Sequence, residues 1–171
     1  MQRRAFLVFA ASSASLALIS LNGCGFALRK APDFAFTTLY SSLAESSPLG
    51  VELRRSLEAT RKVKVISDAG RINEAQVILE VLLDQREKVV LSLNASGQVR
   101  EFQLRLRFRF RLRTLAGKEL IPASEIALQR DISFNESAVL AKEAEENLLY
   151  RDMQSDVVQQ IMRRLAAVKE L

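Results

Sequence analysis

Residues 101–113 constrain the fold of this chain more than any other stretch. Apolar side chains fill every second position from 102 to 112, and arginines fill the odd positions from 105 to 113. Because side chains alternate between the two faces of a β-strand, this period of two predicts a strand with one apolar face and one row of guanidinium groups. Neighbours in that row lie roughly 7 Å apart. Five cations in a line repel one another, so we expect the row to meet carboxylates, water or an anionic partner.

The arginine row has two interpretations. An arginine-bearing strand face is usually solvated or paired with acidic residues of a neighbouring strand. The other interpretation is recognition of phosphate or carboxylate, for which the planar guanidinium fork is well suited. Under that interpretation Arg105, Arg107 and Arg109 are the candidate binding residues. The pattern alone leaves both interpretations open.

Further strand patterns surround this row. Residues 34–41, 63–67 and 75–83 read as strands, residues 86–88 interrupt, and the last pattern resumes over 89–93. Turn chemistry at residues 94–97 predicts a long β-hairpin that joins this strand to the arginine strand. A turn at Ala116 and Gly117 then leads to a last strand around residues 126–134.

Two helices are predicted. Ser46, Ser47 and Pro48 provide the start of the first, and leucines at every fourth position supply its buried stripe: Leu49, Leu53 and Leu57. Asn135 and Ser137 are candidate caps of a second, long helix over residues 138–168. Its predicted buried stripe comprises Leu140, Ala144, Leu148, Leu149, Met153, Val157, Ile161 and Leu165. Together these patterns predict one α+β domain.

Composition excludes several classes of function. The chain has no histidine and a single cysteine, so the side chains that most metal sites and hydrolytic nucleophile pairs depend on are missing. We therefore expect no metal, no cofactor and no enzymatic activity. The formal charge is +5, and without Arg3 and Arg4 the balance is 23 basic against 20 acidic residues, or +3. That excess is too small to indicate nucleic acid as a partner.

Residues 1–23 read as an export signal. Arg3 and Arg4 precede an apolar and small-residue run over 5–21, as in secretory signals and also in twin-arginine signals, so the export route stays open. The next residues, Leu21-Asn22-Gly23-Cys24, resemble the bacterial lipoprotein motif, which implies cleavage before Cys24 and acylation of its thiol and new amino group. An uncleaved membrane anchor and a buried free thiol are the alternatives. The only cysteine ends the only signal-like segment, which favours lipidation.

Two local motifs carry a further resemblance. They are Cys24-Gly25-Phe26-Ala27-Leu28-Arg29, directly after the signal, and Leu140-Ala141-Lys142-Glu143 at the start of the last helix, with Arg163-Arg164-Leu165 near its end. With the order strand, helix, long hairpin, strand and long helix, they make residues 24–171 resemble the LptE family of lipopolysaccharide-assembly lipoproteins of Gram-negative bacteria. The resemblance covers this whole mature region as a single domain.

The resemblance implies a fold and a function. The fold is a two-layer α+β sandwich in which a mixed four-stranded β-sheet packs against two α-helices, the C-terminal one long. The function is that of a lipoprotein of the outer membrane, held by its acyl chains and facing the periplasm and the lumen of the LptD β-barrel. It binds lipopolysaccharide and acts 1:1 as plug and assembly partner of that barrel in lipopolysaccharide transport. Gly25 in place of aspartate after the cysteine implies transfer to the outer membrane.

The resemblance also suggests binding residues. A lipopolysaccharide-binding lysine of the family corresponds to Lys142, whereas the arginine at the tip of the family's hairpin has no counterpart, and Arg100 is the nearest cation. The arginine row meets either lipopolysaccharide phosphates or an acidic wall of the barrel. The alternative function is a free, periplasm-facing lipoprotein module that captures anionic lipids or glycans without a barrel partner.

Overall fold

The structure is a computed structural model that describes residues 32–171. Its elements in chain order are β1 (Thr38–Ser41), α1 (Pro48–Glu58), β2 (Lys64–Ile66), a 3₁₀ turn (Ala69–Glu74), β3 (Val77–Leu93), β4 (Val99–Thr114), β5 (Glu119–Ser133), a second 3₁₀ turn (Glu136–Ala138) and α2 (Val139–Ala167). The predicted signal segment 1–23 and Cys24 lie outside the described residues, so both stay predictions.

The sheet has five strands in the order β2-β1-β3-β4-β5. β1 pairs in parallel with β2 and β3, and β3, β4 and β5 form an antiparallel meander, so the sheet is mixed as predicted. The number of four strands that the resemblance implied was wrong. The strand pattern at residues 63–67 was correct, since it forms β2, whose Lys64 N donates to Thr37 O at 2.8 Å. β2 supplies partners for backbone groups of β1 that would otherwise be left at the sheet edge.

The apolar face of β4, the predicted arginine strand, lies at the centre of the core, as the alternation predicts. Every apolar side chain from 104 to 112 on β4 is 0% exposed: Leu104, Leu106, Phe108, Phe110 and Leu112. α1 packs on the same side through the predicted Leu49, Leu53 and Leu57, which are all buried. Ser47 caps α1, with Gly50 N donating to its hydroxyl at 3.3 Å, and Pro48 is the first helical residue, as predicted.

β3 is continuous through residues 86–88, so the predicted interruption there was wrong. Arg86 Nη2 donates to Gln154 Oε1 at 2.8 Å, and Lys88 Nζ lies 2.6 Å from Glu146 Oε2. Both acceptors belong to α2. The charged residues are accommodated within the strand because the helix layer offers them polar partners.

α2 begins and ends within one residue of the predicted limits, but its predicted buried stripe is only partly correct. Met153, Val157, Ile161 and Leu165 are buried. Leu140, Ala144 and Leu148 are exposed, and the first of these is 82% exposed. The hydrogen bonds from α2 to α1 come from Gln154 and Ser155, which both donate to Glu52, and the exposed residues of the stripe lie six or more residues earlier on α2. Asn135 caps the preceding 3₁₀ turn instead of α2, whose N-cap residue Ala138 makes no side-chain cap bond.

None of the helices that the structure describes is both long and apolar enough to cross a membrane.

Candidate functional site

The domain has two distinct ends. Lys118, in the β4–β5 turn, donates to the backbone oxygen of Leu171 at 3.0 Å, so the C-terminus lies at that end. The start of β1 lies there too, because Leu39 pairs with Val77 and Val77 with Thr114. Asp33 precedes β1 and lies 2.9 Å from Lys62, whose hydrogen bond and charge lower the pKa of Asp33. The hairpin tip at residues 94–97 lies at the opposite end of β4, whose 16 residues span roughly 50 Å.

A cleft of about 250 Å³ lies near the hairpin end, between the first turns of α2 and strands β3, β4 and β5. Its wall contains Lys142, whose Nζ donates to Ser133 Oγ at 2.9 Å and to Glu145 Oε2 at 2.8 Å. The cleft is lined by Lys88, Phe102, Ile132, Ser133, Phe134, Val139, Lys142, Glu143 and Glu146. The predicted binding lysine therefore lies at a real concavity.

The floor of this cleft is aromatic and apolar. The rings of Phe102 and Phe134 meet edge to face with their centroids 5.3 Å apart. Lys88 Nζ lies 4.3 Å from the centroid of Phe102, in cation–π geometry, and forms the ion pair with Glu146 described above. Two ammonium groups thus stand beside an apolar floor, an arrangement that suits a ligand with both an anionic group and a hydrocarbon part.

Sequence reasoning missed Lys88 and Phe134 as members of this site. The pattern places Lys88 in a predicted interruption of a strand and Phe134 on the apolar face of the last predicted strand. Their roles depend on the crossing of α2 over β3 and β5, which joins residues up to 58 positions apart in the chain. No local pattern records such a crossing. The one signal available was a lysine standing directly before the apolar run 89–91.

Arg100 lines a second, more polar cleft of about 280 Å³ at the hairpin tip. Its backbone oxygen accepts from Phe134 N at 2.7 Å. Since Phe134 lines both clefts, the structure brings Lys142 and Arg100 to neighbouring sites around one aromatic ring.

The arginine row lies on the other face of the sheet, away from the helices. Arg111 and Arg113 both contact the carboxylate of Glu80 at 2.5 Å, and their hydrogen bonds, that of Arg113 above all, lower the pKa of Glu80. Arg107 lies 2.9 Å from Glu125 and lowers the pKa of that carboxyl by its hydrogen bond. For these three arginines the domain's own carboxylates are the partners.

The remaining two arginines of the row are less compensated. Arg105 Nε donates to the amide oxygen of Gln103 at 2.7 Å. Arg109 is exposed, and within residues 32–171 it makes neither a hydrogen bond nor an ion pair, although Glu125 stands opposite it on β5. The predicted residues Arg105, Arg107 and Arg109 therefore form a surface separate from the one that contains Lys142 and Arg100.

Comparison with known proteins is consistent with this architecture. The family model LptE, described as lipopolysaccharide-assembly, matches residues 36–165. A protein named LPS-assembly lipoprotein LptE from Pectobacterium atrosepticum is 28% identical over 155 residues, which cover 90% of this chain and 82% of that protein.

Two solved structures are also similar. Lipoprotein B from Nitrosomonas europaea has a TM-score of 0.70 at 38% identity, with 84% of this chain and 91% of that chain covered. The rare lipoprotein B from Shewanella oneidensis has a TM-score of 0.62 at 26% identity, with 77% and 93% covered.

Proposed function

We propose that this chain, which belongs to the LptE family of lipopolysaccharide-assembly proteins, is a non-enzymatic outer-membrane lipoprotein. In this proposal it is anchored through Cys24, binds lipopolysaccharide, and plugs the barrel of an LptD partner.

The cleft beside Lys142 is the observation that carries the lipopolysaccharide-binding part of the proposal. Lipid A has phosphates on a body with several acyl chains, so it needs cations next to an apolar surface. Lys142 and Lys88 supply the cations, and Phe102 and Phe134 supply the apolar surface. Lys142 is already held by Ser133 and Glu145, so its ammonium group is positioned before a ligand arrives.

The length of the domain supports the plug. A bilayer including its headgroups is about 40–45 Å thick, and β4 alone is roughly 50 Å long. The described domain begins at Pro32, just before β1, at the end opposite the hairpin tip. With the acyl chains in the inner leaflet and the domain enclosed by a barrel, the hairpin tip and the Lys142 cleft can reach the depth of the outer leaflet.

The arginine face also suits a barrel lumen, which is polar. Its arginines are partly compensated by Glu80 and Glu125, just as Lys88 and Lys142 are ion-paired with Glu146 and Glu145. The Lys142 cleft differs in that the rings of Phe102 and Phe134 line it beside the cations. We assign lipopolysaccharide binding first to the Lys142 and Arg100 side, and contact with the barrel wall first to the arginine face.

Substitution of Lys142 tests the binding site. We expect Lys142→Gln to weaken binding of purified lipopolysaccharide roughly tenfold, since a charge-assisted contact contributes about 1.5 kcal/mol or more. Lys62→Gln is the matched control, because Lys62 is an ion-paired lysine at the opposite end of the domain. Equal affinities of the two variants, both folded by circular dichroism, would refute the site.

Co-expression with an LptD barrel followed by purification tests the partner. We expect the two chains to co-purify at 1:1, and mass spectrometry of the mature chain to show acyl chains on Cys24. An unmodified thiol, or a chain that purifies without the barrel, would contradict the proposal.

The free binding module remains a second candidate, because Arg109 has no ion-pair partner within the described domain. In that case the monomer binds anionic lipid or glycan in a salt-sensitive way, and replacing Arg105, Arg107 and Arg109 by glutamine abolishes the binding. In a pure plug the same triple variant disturbs only complex formation.

A further inference from the structure

The outer half of β3 has a strand on one side only. β1 pairs with β3 from Val77 to Leu79, and Ser42 adds two last contacts: its N donates to Leu79 O at 3.1 Å and its Oγ accepts from Val81 N at 2.8 Å. The chain then turns away into α1. Residues 82–93 pair with β4 on one side, and among the described residues no strand pairs with their other side.

This open edge differs from the other two edges of the sheet. β2 is only three residues long, and β5 carries Pro122 and the charged Glu125, Arg130 and Asp131. Short length, proline and charge are the usual protections of an edge strand against pairing. The outer part of β3 is instead apolar and exposed: Val89, Val90, Leu91 and Leu93, at 37–57%.

Beside the outer part of β3, the neighbouring face of α2 is not covered by α1. Ser155 donates to Glu52 of α1 at 2.7 Å, so α1 covers that face of α2. Leu148 lies seven residues earlier on the same face, beyond the start of α1, and it is 51% exposed. Tyr150 Oη donates to Glu87 O at 2.7 Å, which places this part of α2 directly beside β3.

We propose that an extended segment of the barrel partner pairs with β3 along residues 82–93, on the same side of β3 as β1 and beyond the point where Ser42 ends that pairing. The proposal rests on the proposed function. The strands of a closed barrel have no free edges, so the segment is a loop or terminal segment of the partner and not one of its wall strands. The partner segment contains no proline, has apolar side chains opposite residues 89–93 and has polar side chains opposite residues 84–88. Backbone hydrogen bonds between the two strands supply the affinity.

The apolar part of the edge, residues 89–93, lies far along β3 from the end at which the described chain begins. Because β1 runs parallel to β3, the residues before Thr38 lie toward the start of β3. Val89 is twelve residues along β3 from Val77, or roughly 40 Å. An eight-residue segment such as 24–31 spans at most about 29 Å even when fully extended, which is shorter than that distance.

A second copy of the chain fits the edge less well than a different sequence. Antiparallel self-pairing over the full edge places the apolar run 89–91 opposite the polar run Asp84-Gln85-Arg86, and parallel self-pairing in register places each charge opposite itself. Pairing of the apolar run alone covers about five residues. The asymmetry of the edge therefore favours a partner strand of another protein.

Hydrogen–deuterium exchange of the lipidated chain, free and in complex with the barrel, tests the proposal. We expect amides of residues 82–93 to exchange at least roughly tenfold more slowly in the complex, with no comparable change along β5. If the complex forms without protection at 82–93, this inference falls and the proposed function stands. If no complex forms, both fall. If residues 82–93 of the free chain become protected as its concentration rises, and its measured mass is that of a dimer, the edge pairs with a second copy and the inference is overturned.

A proline substitution provides the second test. Leu91 stands at a register shift, with Val90 opposite Phe102 and Ser92 opposite Glu101, so it has no direct partner on β4. Leu91→Pro removes one backbone N–H from the outer part of β3 and places a rigid ring there, which disfavours pairing with a further strand; circular dichroism checks that the variant is folded. We expect at least roughly tenfold weaker complex formation, whereas the matched Leu91→Thr variant, which keeps the backbone N–H, stays within about threefold. Equal complex formation by both variants and the wild type overturns the inference.

Discussion

Glu80 offers the sharpest test of how the arginine row is held. Its carboxylate accepts from Arg111 and Arg113, and its side chain is 22% exposed, against 43% and 29% for the two arginines. Hydrogen bonds to charged groups contribute about 1.5–3 kcal/mol each when well buried, and exposed ion pairs contribute less than about 1. Because Glu80→Gln retains one acceptor oxygen, we expect a loss of about 1.5 kcal/mol in the free energy of unfolding.

The assay is thermal and urea unfolding at pH 7, where about 1.5 kcal/mol corresponds to a fall in Tm of roughly 5 °C for a domain of this size. Glu45→Gln is the control, since Glu45 is exposed in the loop before α1 and makes no ion pair among the described residues. We expect that control to stay within about 0.5 kcal/mol of the wild type.

The pH dependence gives an independent readout. The two arginines hold the pKa of Glu80 below its ordinary value of 4.5, so the unfolded state takes up a proton first as the pH falls. The stabilisation is complete above pH 4.5 and is lost as the pH falls through the folded pKa. Glu80→Gln should therefore reduce the fall in stability below pH 4.5. An unchanged Tm at pH 7 together with an unchanged acid profile would refute the assignment of Glu80 as the shared partner.

Two further predictions concern packing. Phe110→Ala should lower the free energy of unfolding by about 3–5 kcal/mol in urea titration, because its ring is 0% exposed and packs 5.8 Å from Phe108; a loss below about 1 kcal/mol would show that the core is loosely packed there. Tyr150→Phe should cost about 0.5–1.5 kcal/mol, because it removes the hydroxyl that donates to Glu87 O while keeping the ring. A neutral Tyr150→Phe substitution would show that water replaces this bond.

Local patterns predicted much of the fold. Alternation over residues 102–112 identified a strand and its buried face, because a period of two places every second side chain on one side of a sheet. The four-residue spacing of Leu49, Leu53 and Leu57 identified α1 and its buried stripe for the analogous reason. The start of α2 was also readable, since the helical period begins where the strand pattern and the turn residues before it end.

The predicted stripe on α2 shows where such patterns stop being informative. Leu140 and Leu148 have the right spacing for burial, but burial requires a neighbouring element, and α1 is too short to cover them. Likewise Arg86 and Lys88 looked like an interruption of a strand, because the partners Gln154 and Glu146 that accommodate them are more than 50 residues away.

For the candidate site, the sequence supplied the residue types and the tertiary structure supplied the neighbours. The arginine row followed from the alternation, whereas Lys142, Arg100 and the predicted anchor Cys24 were suggested by the resemblance to known families. Which arginines meet Glu80 and Glu125, which aromatic rings stand beside Lys142, and which strand edge stays open were decided only by the register of β3, β4 and β5 and by the crossing of α2. These are contacts between residues far apart in the chain, and local periodicity contains no information about them.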